Sequence, residues 1–186
     1  MSLLPAFELG LWNAWIFILP FLLTWLSFMA VNREKMGEER LPEKEKKFSI
    51  IFQVTLFGSW IYSVFLPLQL GTSWFYAGLA VYLAGMIFFA AAALVFTATP
   101  KGRVVTKGVY LISRNPMYVG GFLMYIGIAI ACVSWIFLLS AIVFITIMRR
   151  LVVFEEAFCL GKFGKAYREH MNRTPRWIGI TKPRKK

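Results

Sequence analysis

The chain has 186 residues, of which 59% are hydrophobic, 17% aromatic and only 16% charged, more apolar surface than a soluble domain of this length can bury. Its formal net charge of +12 would indicate nucleic-acid binding in a soluble protein. The hydropathy excludes that class, because the 21 Lys and Arg residues lie between long uncharged runs, in Arg33–Lys47, Lys101–Arg114 and Arg149–Lys186 (the three basic segments).

The uncharged runs predict about five transmembrane helices. Leu9–Asn32 has 24 residues, Phe48–Pro100 has 53 and Asn115–Met148 has 34. One crossing of the hydrocarbon core takes roughly 20 apolar residues, so the first run holds one helix and the others hold two each. The first run lacks the basic start and cleavage site of a signal peptide and is predicted to be a retained helix. In chain order, the predicted helices are Leu9–Val31, Phe48–Leu70, Trp74–Thr97, Met117–Val133 and Trp135–Phe154.

The charge distribution predicts how these helices are oriented. Five crossings put the three basic segments on one side, while the connectors near Gly71–Ser73 and Val133–Ser134 carry no charge. Since cytoplasmic loops carry an excess of Lys and Arg, we expect the N-terminus outside and the C-terminus in the cytoplasm. Four crossings would separate the last two basic segments. The predicted fold is therefore an all-α integral membrane protein.

The segment Thr99–Pro116 differs from the spans around it, since it holds two glycines, two prolines and four basic residues. Pro116 suits the first turn of the helix that follows, and the free N–H groups of that turn form a ready anion site. Gly120-Gly121 just inside this helix indicates close approach of another group to the backbone. On the preceding helix, Gly78, Tyr82 and Gly85 suit close helix packing.

The C-terminal part continues with apolar residues at steps of three or four, which predict an amphipathic helix lying on the membrane or on the loop. We therefore divide the chain into residues 1–98, with the first three membrane helices, and residues 99–186, which hold the motifs. The apolar positions are Phe154, Phe158, Leu160, Phe163, Tyr167 and Met171.

Three motifs in residues 99–177 resemble those of a known family. They are Lys107-Gly108-Val109-Tyr110, then Arg114-Asn115-Pro116-Met117-Tyr118, then Glu155-Glu156 followed by Phe163-Gly164-Lys165-Ala166-Tyr167. This ordered set is similar to the isoprenylcysteine carboxyl methyltransferases and the related phospholipid N-methyltransferases. The resemblance implies an integral membrane enzyme that uses S-adenosylmethionine, without a metal, and methylates a lipidic or prenylated acceptor at the cytoplasmic surface. No nucleic-acid partner is expected.

The resemblance also implies a set of cofactor-binding residues. Adjacent glutamates on a helix point about 100° apart, so Glu155 and Glu156 cannot form a facing acid/base pair, and we expect one to face the pocket and the other water. His170 is predicted to be a surface residue. The cofactor-binding residues carried over are Gly102, Arg103, Val104, Val105, Tyr110, Asn115, Pro116, Met117, Tyr118 and Glu155.

The acceptor is predicted from the residues near Glu155. The carboxyl methyltransferases resembled place a substrate-binding arginine four residues before the first glutamate, where this chain has Leu151, so Arg150 or Arg149 is expected to act as the catalytic, carboxylate-binding residue. A carboxylate acceptor needs no base, and the sequence shows no convincing one, which favours the isoprenylcysteine-like reaction.

Two alternatives to that reaction stay open. The first is phosphatidylethanolamine N-methylation, which the N-P-M-Y form of the second motif favours. Against it, the phospholipid methyltransferases resembled share a G-x-G ahead of that motif, and this chain has none. The second, from another class, is a small membrane transporter or assembly factor. Against it, Gln53 and Gln69 are the few polar side chains in the spans besides scattered hydroxyls.

Overall fold

A computed structural model describes residues 7–36 and 43–181 of the chain. Over these ranges the structure is all-helical, as predicted, with no β-strand and one isolated bridge between Asn13 and Pro67. Residues 37–42, within the first basic segment, and residues 182–186, at the end of the third, lie outside the described residues. The helices are α1 Trp15–Met36, α2 Glu43–Ser63, α3 Ser73–Ala98, α4 Pro116–Ala131, α5 Trp135–Phe163 and α6 Lys165–Arg173, with a 3₁₀ turn at Gly108–Leu111.

Three of the described helices, α1, α3 and α5, are long and apolar enough to cross a membrane. Helix α4 is apolar but has only 16 residues, about 24 Å at 1.5 Å per residue. Helix α2 includes the charged residues Glu43–Lys47 and ends at Ser63, before the predicted Leu70. Pro67 accounts for this early end, because it lacks the N–H that a continuing helix would direct at the Ser63 carbonyl and its ring would clash with that carbonyl. The count of five crossings stays a prediction.

Glycines bring α3 and α4 into backbone contact. A Cβ atom added at Gly78 would lie 2.5 Å from the Gly127 carbonyl oxygen, and one at Gly85 would lie 2.7 Å from that of Gly120. Each pair is seven residues from the next on its own helix, as expected for two antiparallel helices meeting on one face. The predicted close approaches at Gly78, Gly85 and Gly120 are therefore confirmed, and α4 is fixed against α3 along most of its length.

A tight turn joins α4 to α5. Val133 has φ +50°, and the Ser134 hydroxyl caps α5 by accepting from the Phe137 amide at 3.2 Å. Helix α5 then continues nine residues beyond the predicted Phe154, to Phe163, where Gly164 at φ +52° ends it. The predicted amphipathic helix is therefore divided between the last turns of α5 and the separate α6.

The first helix is anchored to the end of α3, where the functional loop begins. The ammonium group of Lys35 donates to the carbonyls of Thr97 at 2.8 Å and Thr99 at 2.9 Å, which lack helical partners. Buried Asn32 donates to the Thr97 hydroxyl at 2.8 Å. These contacts fix where the chain leaves α3 and hence where the Thr99–Asn115 loop starts.

Candidate active site

A cavity of about 430 Å³ opens among the Thr99–Asn115 loop, the start of α4 and the ends of α5 and α6. Its volume lies within the roughly 300–1,000 Å³ range of small-molecule sites. We call this region the polar end, because Lys101, Arg103, Arg114, Glu155 and His170 are among its lining side chains.

The cavity continues from the polar end between the membrane helices, as a region that we call the apolar arm. Ile128 on its wall lies twelve residues along α4 from Pro116, about 18 Å at 1.5 Å per residue. Helices α1 and α2, in residues 1–98, also contribute side chains to the wall of the apolar arm. The apolar arm is lined by Phe17, Phe21, Leu56, Ile128 and Phe144.

The structure brings all ten of the sequence-predicted cofactor-binding residues to the lining of this one cavity. They come from three separate stretches of chain, and the loop, the start of α4 and the last turns of α5 bring them together. The residues are Gly102, Arg103, Val104, Val105, Tyr110, Asn115, Pro116, Met117, Tyr118 and Glu155.

Two glycines shape the loop that forms one wall. Gly102 has φ +81° and Gly108 has φ +57°, backbone conformations that other residues rarely adopt. After Gly108 the 3₁₀ turn buries Tyr110 against the cavity. Burial raises the pKa of the Tyr110 phenol, and the carboxylate of Glu155 raises it further, so the side chain is a neutral hydrogen-bonding group at physiological pH.

The two adjacent glutamates have different environments. Glu155 is half-buried on the cavity wall and accepts a hydrogen bond from the Tyr118 hydroxyl. Glu156 is 2% exposed, so the expectation that it faces water is wrong. Its carboxylate accepts from Arg176 Nη2 at 2.8 Å and Asn115 Nδ2 at 3.0 Å, and lies 3.4 Å from Arg114 Nε. Because adjacent side chains on a helix point about 100° apart, Glu155 faces the cavity while Glu156 faces a cluster of cations instead of solvent.

Residues 175–181, which we call the C-terminal strap, run along the end of the loop. The Arg114 amide donates to the Pro175 carbonyl at 3.0 Å, and the Gly179 amide donates to the Ile112 carbonyl at 3.1 Å. The Arg176 carbonyl accepts from the Ser113 hydroxyl at 3.2 Å and from Asn115 Nδ2 at 3.1 Å. Sequence analysis quoted Arg114 within a motif but assigned neither Arg114 nor Arg176 to the site, and only long-range contacts bring Arg176 there.

Arg149 and Arg150, predicted to hold an acceptor carboxylate, lie outside the cavity lining. Both side chains are exposed on α5. The Arg150 guanidinium lies over the Phe48 ring, 4.4 Å from its centroid, in a cation–π contact with α2. In this arrangement neither arginine is brought together with the ten residues around the cavity.

His170 is another residue whose position differs from expectation. It was predicted at the surface, but it is 6% exposed and lines the polar end. Burial is the main cause that lowers its pKa to about 4, with Arg114 and Arg173 acting in the same direction and Glu156 opposing them. The imidazole is therefore neutral at physiological pH. One signal in the sequence pointed to it: Tyr167 and His170 are three residues apart, on one face of a helix.

Metal chemistry was not expected from the sequence. Among residues 7–36 and 43–181, no group of three or more His, Cys, Asp and Glu side chains is placed to hold a metal ion. The polar end instead offers one carboxylate, several cations, aromatic rings and a neutral imidazole. Such a set suits an organic ligand that carries both charges and a flat ring.

Comparison with models of known protein families gives a match. The sequence model of the family described as phospholipid methyltransferase matches residues 70–166. The matched stretch runs from just before α3 to the start of α6 and includes all ten cavity-lining residues named above. Among curated proteins, no match to the chain was found.

Proposed function

Because the chain belongs to the phospholipid methyltransferase family, we propose that it transfers a methyl group from S-adenosylmethionine to a lipid at the membrane surface. Membrane association is supported by the three long apolar helices. The observation that carries the proposal is that ten residues, chosen from the sequence alone, line one cavity with a polar end and an apolar arm. With the predicted orientation of the helices, the polar end faces the cytoplasm.

The polar end fits the cofactor. Arg114 lines the polar end with its Nε 3.4 Å from the Glu156 carboxylate, and the rest of its guanidinium group suits the cofactor's carboxylate. The carboxylate of Glu155 suits the cofactor's ammonium and sulfonium charges. When bound, the cofactor supplies a methyl group whose bond to sulfur breaks as the bond to the acceptor forms, leaving S-adenosylhomocysteine.

The protein contributes mainly by positioning and by excluding water. Tyr118 holds the Glu155 carboxylate by its hydrogen bond, and α3 holds the start of α4 through the contact between Gly85 and Gly120. Alignment of two reactants can supply on the order of 7–11 kcal/mol of a reaction barrier. The apolar arm suits a hydrocarbon chain of the acceptor, so that its polar headgroup lies at the polar end.

Two acceptor classes follow from the family resemblances, and we favour a phospholipid amine over a prenylcysteine carboxylate. A carboxylate held in a partly desolvated site needs a paired cation, because an unpaired buried charge costs several kcal/mol. Arg149 and Arg150, the cations expected for that purpose, lie outside the cavity lining, and the family model that matches the chain is that of phospholipid methyltransferases. An amine attacks as the free base and gives up its proton to interfacial water first.

Incorporation of labelled methyl groups tests both levels of the proposal. Purified protein in mixed micelles is given labelled cofactor together with phosphatidylethanolamine or a farnesylcysteine analogue. We expect label in the phospholipid, lost in Glu155→Gln and retained in Arg150→Ala, which is the matched control on the same helix. Label in farnesylcysteine that disappears in Arg150→Ala, with unchanged affinity for S-adenosylhomocysteine, would establish the carboxylate acceptor instead. No label in any lipid would refute the proposed function.

A further inference from the structure

The C-terminal strap and the end of the 3₁₀ turn together carry a group of exposed apolar side chains, which we call the apolar patch. The Gly179 amide donates to the Ile112 carbonyl at 3.1 Å, and the Thr181 hydroxyl donates to the Leu111 carbonyl, so the two segments are held side by side. Apolar side chains brought together at the surface indicate a place where something binds. The patch consists of Leu111, Ile112, Ile178 at 63% exposure and Ile180 at 93% exposure.

The apolar patch lies close to the apolar end of α3. The 3₁₀ turn packs on that helix, since a Cβ atom added at Gly108 would lie 3.0 Å from the Val95 Cγ2. Helix α3 is long and apolar enough to cross a membrane, and every residue in Ile87–Phe96 is apolar. Leu94, the neighbour of Val95, is 70% exposed on it. The patch is therefore within reach of the lipids that surround the end of α3.

The two segments that carry the patch are strongly basic, and this charge restricts what binds there. The loop Thr99–Asn115 has four Lys and Arg residues and no acidic residue. The sequence from Lys165 to Lys186 has eight Lys and Arg residues and one acidic residue, Glu169. Basic segments with exposed apolar side chains are typical of surfaces that bind anionic lipid, because the cations attract the headgroups while the apolar side chains enter between them.

We propose that the apolar patch and the basic residues of its two segments bind the anionic phospholipid surface of the leaflet around the end of α3. Ile178 and Ile180 enter the headgroup region, and the basic side chains pair with phosphate groups. With the predicted orientation of the helices this is the cytoplasmic leaflet, whose surface is negatively charged. The strap also accepts from Asn115 Nδ2 through the Arg176 carbonyl, so bound lipid helps to fix one wall of the cavity. The inference requires the chain to lie in a membrane and is independent of the proposed methyl transfer.

Quenching of a fluorophore by spin-labelled lipid tests this contact in the intact chain. Ile180→Cys, with Cys132 and Cys159 replaced by alanine, is labelled and placed in nanodiscs of phosphatidylcholine, with or without phosphatidylglycerol. Both lipids contain the same share of spin-labelled phosphatidylcholine. Each basic residue near an anionic surface strengthens binding by about fivefold, so we expect quenching to be at least twofold stronger with phosphatidylglycerol. The matched control is Ile87→Cys, an isoleucine 69% exposed on α3, where quenching should be equal in the two lipids.

A charge variant and added salt show whether the attraction is electrostatic. Replacing the four basic residues after Thr181 by glutamine should remove most of the difference between the two lipids, and salt should reduce it, because salt screens exposed charges. Equal quenching at position 180 in both lipids would overturn the proposal. If it is strong, the patch contacts lipid without selecting its charge, and if it is weak, the patch faces water or a partner protein. A difference that the charge variant keeps in full would also overturn it. The Ile87→Cys control corrects for any effect of the lipid mixture on the quencher itself.

Discussion

Replacing Glu156 by leucine should cost the protein about 3–5 kcal/mol of stability. The Glu156 side chain is 3% exposed, and Arg114, the more buried of its two cationic partners, is 9% exposed. Without the carboxylate, the Arg114 guanidinium stays buried and loses its counter-charge, which is the costly half of a broken buried ion pair. The Arg176 side chain is 40% exposed and can become solvated by water, so losing its ion pair with Glu156 adds at most about 1 kcal/mol.

Unfolding in mixed micelles with increasing denaturing detergent measures this loss. The matched control is Glu155→Gln, one position earlier on the same helix, where the side chain is half-buried on the cavity wall and the expected change is below about 1 kcal/mol. A double variant, Arg114→Met with Glu156→Leu, removes both charges and should regain most of the lost stability. If Glu156→Leu costs less than about 1 kcal/mol, or if the double variant is as unstable as the single one, the argument from buried charge is refuted.

Glu155 and Glu156 should differ in how much each contributes to ligand affinity. Glu155 lines the cavity, whereas Glu156 acts on the site through Asn115 and the C-terminal strap. In the folded fraction, Glu155→Ala is therefore expected to weaken S-adenosylhomocysteine binding far more than Glu156→Ala does. Equal losses in calorimetry would contradict the separation of a ligand-binding glutamate from a structural one.

Three further predictions concern packing, pH and topology. Gly127→Ala should destabilise the protein by about 1–3 kcal/mol, because its Cβ would lie 2.5 Å from the Tyr82 amide nitrogen. The control Gly58→Ala meets no atom within 4 Å and should be neutral or stabilising. Equal unfolding midpoints for the two variants would contradict this prediction. The pKa of His170 is lowered to about 4 in the folded protein, whereas the unfolded side chain protonates near pH 6.5. Below pH 6.5 the unfolded chain therefore binds the proton more readily, and the free energy of unfolding falls, by about 2 kcal/mol at pH 5. Unfolding at pH 7.5 and pH 5 should show a smaller decline in His170→Phe than in the wild type. Cysteine probes in the three basic segments should all label from the cytoplasm and a probe at the N-terminus from outside; labelling of the second segment from the opposite side to the third would refute the five-helix topology.

The sequence by itself determined the class of the protein, the order of its helices and ten residues of the cavity lining. Long uncharged runs specify membrane helices whatever the tertiary contacts are, because a helix satisfies its backbone hydrogen bonds within its own segment, where lipid offers no water to do so. The ten residues carried over from the family resemblance all line one cavity, formed by the Thr99–Asn115 loop, the start of α4 and the last turns of α5.

Helix bounds were less well determined by local pattern. The apolar run past Ser63 predicted a longer α2, and the basic pair Arg149-Arg150 suggested an earlier end to the membrane part of α5. In both cases a single backbone effect decided the bound: the proline at Pro67 for α2, and the left-handed glycine at Gly164 for α5.

Only the tertiary structure decided which charged side chains line the cavity. Arg150 faces Phe48 and solvent, while His170, expected at the surface, is buried on the cavity wall. Glu156 differs from Glu155 because the C-terminal strap, twenty residues later, brings Arg176 onto its carboxylate. The sequence fixes the angle between neighbouring side chains on a helix, but what each one faces depends on segments distant along the chain, and those meet only in the folded protein.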